Sequence, residues 1–265
     1  MQLAHRVSLA GVQLDSVDSR IIIKGIEEAA GKEAISAVSF GGRDGQYVTK
    51  RRRDTLDVTV KFALNVRRDS MQTRSEIFEK VNSWAAGGGW LEVNYKSNRR
   101  LYVICAQTPG AGDQWQRTNI YSITFRAYGV PYWREKTANT ITKTNISSLN
   151  AQAETIKGSV RTVMDVEFKN TSGSTADTFS ITTGGSTIAF SSLGLANNET
   201  LEIDHKNDGT LRIRIKNAGG TYRSAMDKRT PESADDLFVE PGTQNISMTS
   251  QKAGNLTVSH VGRFL

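Results

Sequence analysis

The chain has 265 residues, enough for two domains or for one large β domain, and a formal net charge of +7 at pH 7. All of that excess lies in residues 1–134, which hold 20 Lys and Arg against 13 Asp and Glu, whereas residues 135–265 hold 14 of each. Cys105 is the only cysteine, which excludes an intrachain disulfide and a zinc site built on cysteines. No stretch approaches about 18 apolar residues and the start lacks a signal-peptide pattern, so we expect neither a membrane span nor a signal peptide.

The first pronounced pattern is the stretch YVTKRRRDTLDVTVKFAL, residues 47–64. From Leu56 onward apolar and polar residues alternate, which predicts a strand with one buried face. Four cations stand at the entrance of this strand, namely Lys50, Arg51, Arg52 and Arg53. Such a block is typical of a solvated rim or a contact with a neighbouring subunit. Nucleic-acid contact is the alternative, but we find no recognition helix and no aromatic platform on a basic strand.

One helix is predicted in the first half, over about residues 70–86. Its apolar residues fall on one stripe, and Gly87–Gly89 end it; the stripe consists of Ile77, Phe78, Val81, Trp84 and Ala85. A hairpin over residues 90–107 and a strand ending near Ala127 follow. We place a domain boundary just beyond Trp133.

The second half begins with a polar, weakly patterned segment, residues 135–155, which we interpret as a linker or a loosely held first strand. Short predicted strands with turn signals every 8 to 12 residues follow it, the spacing of a β-sandwich. The sequence therefore predicts a mainly β chain with one helix, divided into domains 1–134 and 135–265.

Glu202 and Asp204 share one face of a predicted strand, as the paired carboxylates of a glycosidase could. The following strand, LRIRIK, argues against catalysis because its alternation gives it one basic face. If residues 207–209 form a three-residue turn with Gly209 left-handed, Glu202 lies opposite Arg214 and Asp204 opposite Arg212. We therefore interpret the two carboxylates as structural cross-strand ion pairs.

The sequence contains no local motif of an enzyme, a cofactor site or a metal site. The sequence has no nucleophile elbow, phosphate loop or dinucleotide fingerprint, so we predict no enzyme and no cofactor. Its three histidines, His5, His205 and His260, lack metal-ligand spacing, and we expect ordinary surface or strand residues there.

The order of elements resembles the distal tail protein (Dit) family of long-tailed phages. In the first half the similar parts are RRRDTLDVTVKFAL, the helix SEIFEKVNSWAA, the hairpin GWLEVNYKSNRRLYVIC and the strand YSITFRAYGVPYWRE. In the second half they are VEFKNTSGSTADTFSITTGG, LGLANNETLEIDH and the closing DDLFVEPGTQNISMTSQKAGNLTVSHVGRFL. The resemblance covers nearly the whole chain.

The resemblance implies a structural virion protein, assembled in the host cytoplasm and located at the phage tail tip. Its first domain would be β-barrel-like and form a hexameric ring, and its second would be a galectin-like β-sandwich. The implied partners are five further copies, the tail tube protein, the tape measure protein and the hub or fibre proteins of the baseplate, without membrane or sequence-specific nucleic acid. The four cations at 50–53 would then lie at a ring or tube contact.

Two alternative functions of other classes remain, carbohydrate binding and nucleic-acid binding. The second half could be a carbohydrate-binding sandwich, although it has no tryptophan and its aromatic residues mostly follow core-like strand patterns. The basic first half could bind nucleic acid, with an affinity that falls steeply as salt rises.

Overall fold

The structure is a computed structural model that describes residues 5–29, 31–39, 44, 46–66, 71–109 and 120–265. The predicted mainly β class is confirmed. The chain divides into two compact units, Met1–Trp133 and Arg134–Leu265. This division lies one residue from the boundary that the sequence suggested.

Unit 1 contains eight described strands and two helices, α1 (Leu14–Val17) and α2 (Met71–Ala86). The strands hydrogen-bond in the order β2-β1-β6-β7-β8-β5-β3, and β4 pairs with β5. Their bounds are β1 (Val7–Leu9), β2 (Val12–Gln13), β3 (Ile21–Glu28), β4 (Lys32–Val38), β5 (Tyr47–Leu64), β6 (Gly89–Val93), β7 (Arg99–Gln107) and β8 (Ile120–Ala127).

Helix α2 packs its apolar stripe against the sheet. Ile77, Phe78, Val81 and Ala85 are buried, and the Phe78 ring meets Tyr121 of β8 edge-on, with centroids 4.8 Å apart. Each fully buried side chain of this kind contributes about 1.5–3 kcal/mol relative to an exposed one, so the stripe anchors the helix.

Gly88 lies in the turn between the end of α2 and β6, close to the backbone of β7. Its φ is +56°, and a Cβ at this position would come within 2.7 Å of the Val103 carbonyl oxygen. A glycine is therefore required both for the left-handed turn and for the close passage to β7.

Unit 2 is built from strands that enclose one core. The hydrogen-bonded order is β13-β12-β18-β11-β14-β15-β16, with β10 paired to β18 and β17 paired to β11. The strand bounds are β10 (Asn139–Ile156), β11 (Thr162–Asn170), β12 (Phe179–Thr183), β13 (Ser186–Phe190), β14 (Thr200–His205), β15 (Leu211–Lys216), β16 (Tyr222–Ser224), β17 (Phe238–Val239), β18 (Gly242–His260) and β19 (Arg263–Phe264). A short strand β9 (Trp133–Glu135) stands at the boundary between the units.

Strand β18 organises this core because it has partners on both edges. One edge pairs with β10, while the other pairs first with β12 and then, beyond Gln251, with β11. The core contains Phe168, Phe179, Phe190, Ile203, Ile215, Met248 and Leu256.

Of the two interpretations of residues 135–155, the structure has the strand and not the linker. These residues form most of β10, which pairs with β18 from Asn139 to Ile156 through three register shifts. The segment is polar because most of its side chains are exposed, whereas Ile141, Ile146 and Leu149 pack against the core. An irregular, half-solvated edge strand has the weak pattern that we attributed to a linker.

Candidate assembly surface

The predicted basic block lies on a two-stranded ribbon that we call the arm, residues 32–38 of β4 and 47–55 of β5. The two strands are antiparallel, from Lys32 opposite Thr55 to Val38 opposite Tyr47. The inner part of β5, Leu56–Ala63, has β3 on one edge and β8 on the other. Within the described residues, the outer part of β5 pairs with β4 alone, and β4 pairs with β5 alone.

Apolar side chains on the arm face solvent. Ile35 is 58% exposed, Val38 45%, Tyr47 67% and Val48 52%. A two-stranded ribbon is marginally stable by itself in water. An exposed ribbon with large apolar side chains and unpaired edges is the feature expected of a surface that binds another chain.

The four cations of the basic block do not share one environment. Arg52 is exposed and only loosely paired, with its Nη2 3.6 Å from Asp54 Oδ1. Arg53 is instead partly buried: Gly31 lies directly against its guanidinium, whose Cζ is 5.7 Å from the centroid of the Tyr132 ring. The backbones of Lys50 and Arg51 pair with Ser36 and Ile35, and their side chains lie outside the described residues.

Glu202 and Asp204, the acidic pair of unit 2, each lie opposite an arginine of the neighbouring strand. Glu202 lies opposite Arg214 and Asp204 opposite Arg212 in the β14–β15 register, and Gly209 in the turn has a φ of +86°. Arg214 Nε donates to Glu202 Oε2 over 2.9 Å, while Arg212 donates to both oxygens of Asp204. Each of the two carboxylates is thus bound by a guanidinium of the facing strand.

We expected the aromatic residues of unit 2 mostly in the core, but Tyr222 lies at the surface. It is 44% exposed on the edge strand β16, and the Arg214 Cζ lies 4.0 Å from its ring centroid. The ring therefore extends the charged ladder of β14 and β15 by a cation–π contact.

His205 and His260 both lie in strands, one of the two expectations for the histidines, and each also contacts a carboxylate. The ring of His260 is buried and its Nε2 lies 3.1 Å from Glu154 Oε1. His205 lies between two aspartates, Asp165 and Asp236. No local sequence signal could have found these contacts, because the partners are between 31 and 106 residues away along the chain.

In the part of the chain that the structure describes, no group of three or more His, Cys, Asp or Glu side chains could hold a metal ion. Among the same residues, no helix has the length and apolar character needed to cross a membrane.

No family model matches the chain, and no curated protein matches it either. Solved structures do match. The Dit protein of phage SPP1, a hub of the adsorption apparatus in phages that infect Gram-positive bacteria, is 12% identical with a TM-score of 0.67, and the match covers 98% of this chain and 99% of that one. The chain has the fold of a phage distal tail protein. The resemblance predicted from the sequence is thus confirmed at the level of the fold.

Two baseplate structures also match from end to end. A chain of the phage p2 baseplate, in its activated conformation with Sr, is 10% identical with a TM-score of 0.49 and a coverage of 97% of both chains. A chain of the phage P2 baseplate with Ca is 9% identical with the same TM-score, covering 99% of this chain and 98% of that one.

Proposed function

We propose that this protein is the hub of a phage tail tip, a structural and non-enzymatic virion protein. The observation that carries the proposal is the fold shared with SPP1 Dit over 98% of this chain, with both units included. A match restricted to one unit would suit any β-sandwich or β-sheet module. A match that preserves two different units in one order favours a shared role in the tail.

In the proposed assembly six copies form a ring through unit 1, and the arm contributes to the contact between neighbours. The exposed apolar residues of the arm support this role, because they require a partner to become buried, as do its outer strand edges, which pair with no other strand of the described chain. Arg52 supplies an exposed cation that can pair with a carboxylate of the next copy.

The ring would join the tail tube protein and the tape measure protein on one side to baseplate or fibre proteins on the other. Unit 2, expected to be a galectin-like sandwich, would face outward. DNA would cross the ring during ejection without being read, so the excess positive charge of residues 1–134 would serve subunit contacts and not sequence recognition.

Light scattering and negative-stain images of the purified chain test the proposal. We expect ring-shaped particles with a mass about six times that of the 29.1 kDa chain. Arg52→Glu should shift the population toward smaller species, because it places a negative charge where a partner carboxylate is expected. A chain that stays monomeric, both alone and with its tail tube protein, contradicts the ring.

Lys24→Glu is the matched control for the arm. Lys24 is an exposed cation of β3, also in unit 1 but outside the arm, and its reversal changes the net charge by the same amount. Equal effects of the two reversals on the particle mass would show that net charge matters and not the arm. A ring that survives Arg52→Glu unchanged, at low and at high salt, would remove this residue from the interface.

A further inference from the structure

His205, the last residue of β14, has a carboxylate at each of its two ring nitrogens. Its Nδ1 lies 2.6 Å from Asp165 Oδ1 on β11, and its Nε2 lies 2.7 Å from Asp236 Oδ1. The histidine side chain is 5% exposed, and both distances are those of direct contacts. The ring therefore joins three segments of unit 2: β14, β11 and the residues just before β17.

The third segment is the end of a long connection that we call the strap, residues 225–237 between β16 and β17. The strap begins directly after β16, where the Ala225 amide donates to the Ile213 carbonyl of β15. It then runs along β13, where the Thr230 and Ala234 amides donate to backbone carbonyls. It finishes at Leu237, which is fully buried and whose carbonyl accepts from the Met164 amide of β11.

The chemistry of the two contacts fixes the protonation state of the ring. A neutral imidazole has one N–H donor and one acceptor nitrogen, whereas an ionised carboxylate can only accept. With Asp165 and Asp236 both within hydrogen-bond distance, a neutral ring would direct a nitrogen lone pair at one of them. We propose that His205 is an imidazolium at neutral pH, which clamps the end of the strap to the sandwich and releases it when the ring loses its proton.

The residues opposite His205 on β15 and opposite Asp165 on β18 are uncharged. On β15 the residue opposite His205 is Leu211, and on β18 Ser259 lies opposite Asp165. Of the neighbours on its own strand, Asp204 is already bound by Arg212, and Lys206 is exposed and belongs to the turn. Asp165 and Asp236 are thus the charged groups that the described structure places within hydrogen-bond distance of the ring.

The pKa of the ring agrees with this geometry. Burial disfavours the charged form and acts to lower the pKa of His205, but the hydrogen bonds to Asp165 and Asp236, together with their negative charge, outweigh it and raise the pKa to about 9. Asp236 Oδ1 also accepts from the Leu237 amide, so that the clamp fixes the backbone entering β17.

The sign of the pH dependence follows from linkage. The pKa of His205 is higher in the folded chain, about 9, than the 6.5 of an ordinary histidine, so the clamp contributes fully below about pH 6.5. Its contribution decreases by half near about pH 8 and is almost gone above about pH 9.

The test compares the melting temperature of the full chain from pH 5 to pH 10 in three variants. His205→Gln and Asp236→Asn should lower Tm at pH 6 and leave much smaller differences at pH 9.5. Asp235→Asn is the matched control, because it removes the neighbouring, exposed carboxylate of the same strap and should follow the unmodified chain. If His205→Gln does not fold, the two aspartate variants still decide the question.

A second measurement reads the ring directly. In the chain labelled with ¹⁵N-histidine, we expect both ring nitrogens of His205 to be protonated at pH 7 and both to titrate together in the alkaline range. One protonated nitrogen at pH 7 would overturn the proposal. Identical pH profiles for Asp236→Asn and Asp235→Asn would also overturn it, since the clamp requires the first carboxylate and not the second.

Discussion

Glu202 of β14 and Arg214 of β15 face each other across the sheet, with Arg214 Nε donating to Glu202 Oε2 over 2.9 Å. Glu202 is 8% exposed, and Tyr222 covers the guanidinium from the edge strand. This pair belongs to a ladder that continues to Asp204 and Arg212, so its members hold each other in position.

A double-mutant cycle on Glu202 and Arg214 should give a coupling free energy of about 1 kcal/mol, because the pair is partly buried and charge-assisted. Glu202→Gln and Arg214→Met are suitable single changes, measured by urea unfolding. The destabilisations of the two single variants should add up to more than the destabilisation of the double variant, since each single change leaves a charge without its partner. A coupling of zero would mean that the two side chains are solvated independently.

Gly254 of β18 packs against Phe168 of β11. A Cβ at Gly254 would come within 2.6 Å of the Phe168 ring, which is fully buried in the core of unit 2. Gly254→Ala should therefore lower the free energy of unfolding by about 1–3 kcal/mol, the usual cost of overpacking. Urea or thermal unfolding measures this effect.

Gly25→Ala is the control for that substitution. Gly25 lies in β3, and a Cβ there would meet no atom within 4 Å. We expect a change within about 1 kcal/mol, because only backbone entropy and strand propensity are affected. If the two alanine variants were equally stable, the contact between Gly254 and Phe168 would not be tight.

Acid should weaken both units through carboxylates that arginines hold ionised. The hydrogen bonds from Arg20, with Lys80 in support, hold the pKa of Asp18 far below its usual value, and Arg223 lowers the pKa of Glu199. A carboxylate whose folded pKa is depressed contributes stability that is fully present above its unfolded pKa and is lost as pH falls through the folded value. Stability should therefore decrease as pH drops below about 4.5.

Asp18→Asn and Glu199→Gln separate the two units in this experiment. Each variant should be less stable than the unmodified chain at pH 7 and should lose less stability on going to pH 3, because the titrating group has been removed. Urea unfolding at several pH values measures both quantities. Parallel acid profiles for a variant and the unmodified chain would show that the carboxylate does not carry the effect.

The sequence by itself determined features that depend on near neighbours. The alternation after Leu56 defined the buried face of β5, and the apolar stripe placed α2 on the sheet. The turn at Gly209 set which residues of β14 and β15 lie opposite each other. These features are local because a side-chain period and a tight turn are fixed by a few consecutive backbone dihedrals.

Only the tertiary structure decided the remaining features. The polar segment that we interpreted as a linker or a loosely held strand is a strand because β18, about 100 residues later, pairs with it along its length. Arg53 packs against Gly31 and Tyr132 while Arg52 stays exposed, although the two are adjacent in one basic run. The two carboxylates at His205 meet there because the strand order places β11 and the strap beside β14. Strand order depends on contacts between residues distant in sequence, and no local pattern of polar and apolar residues specifies them.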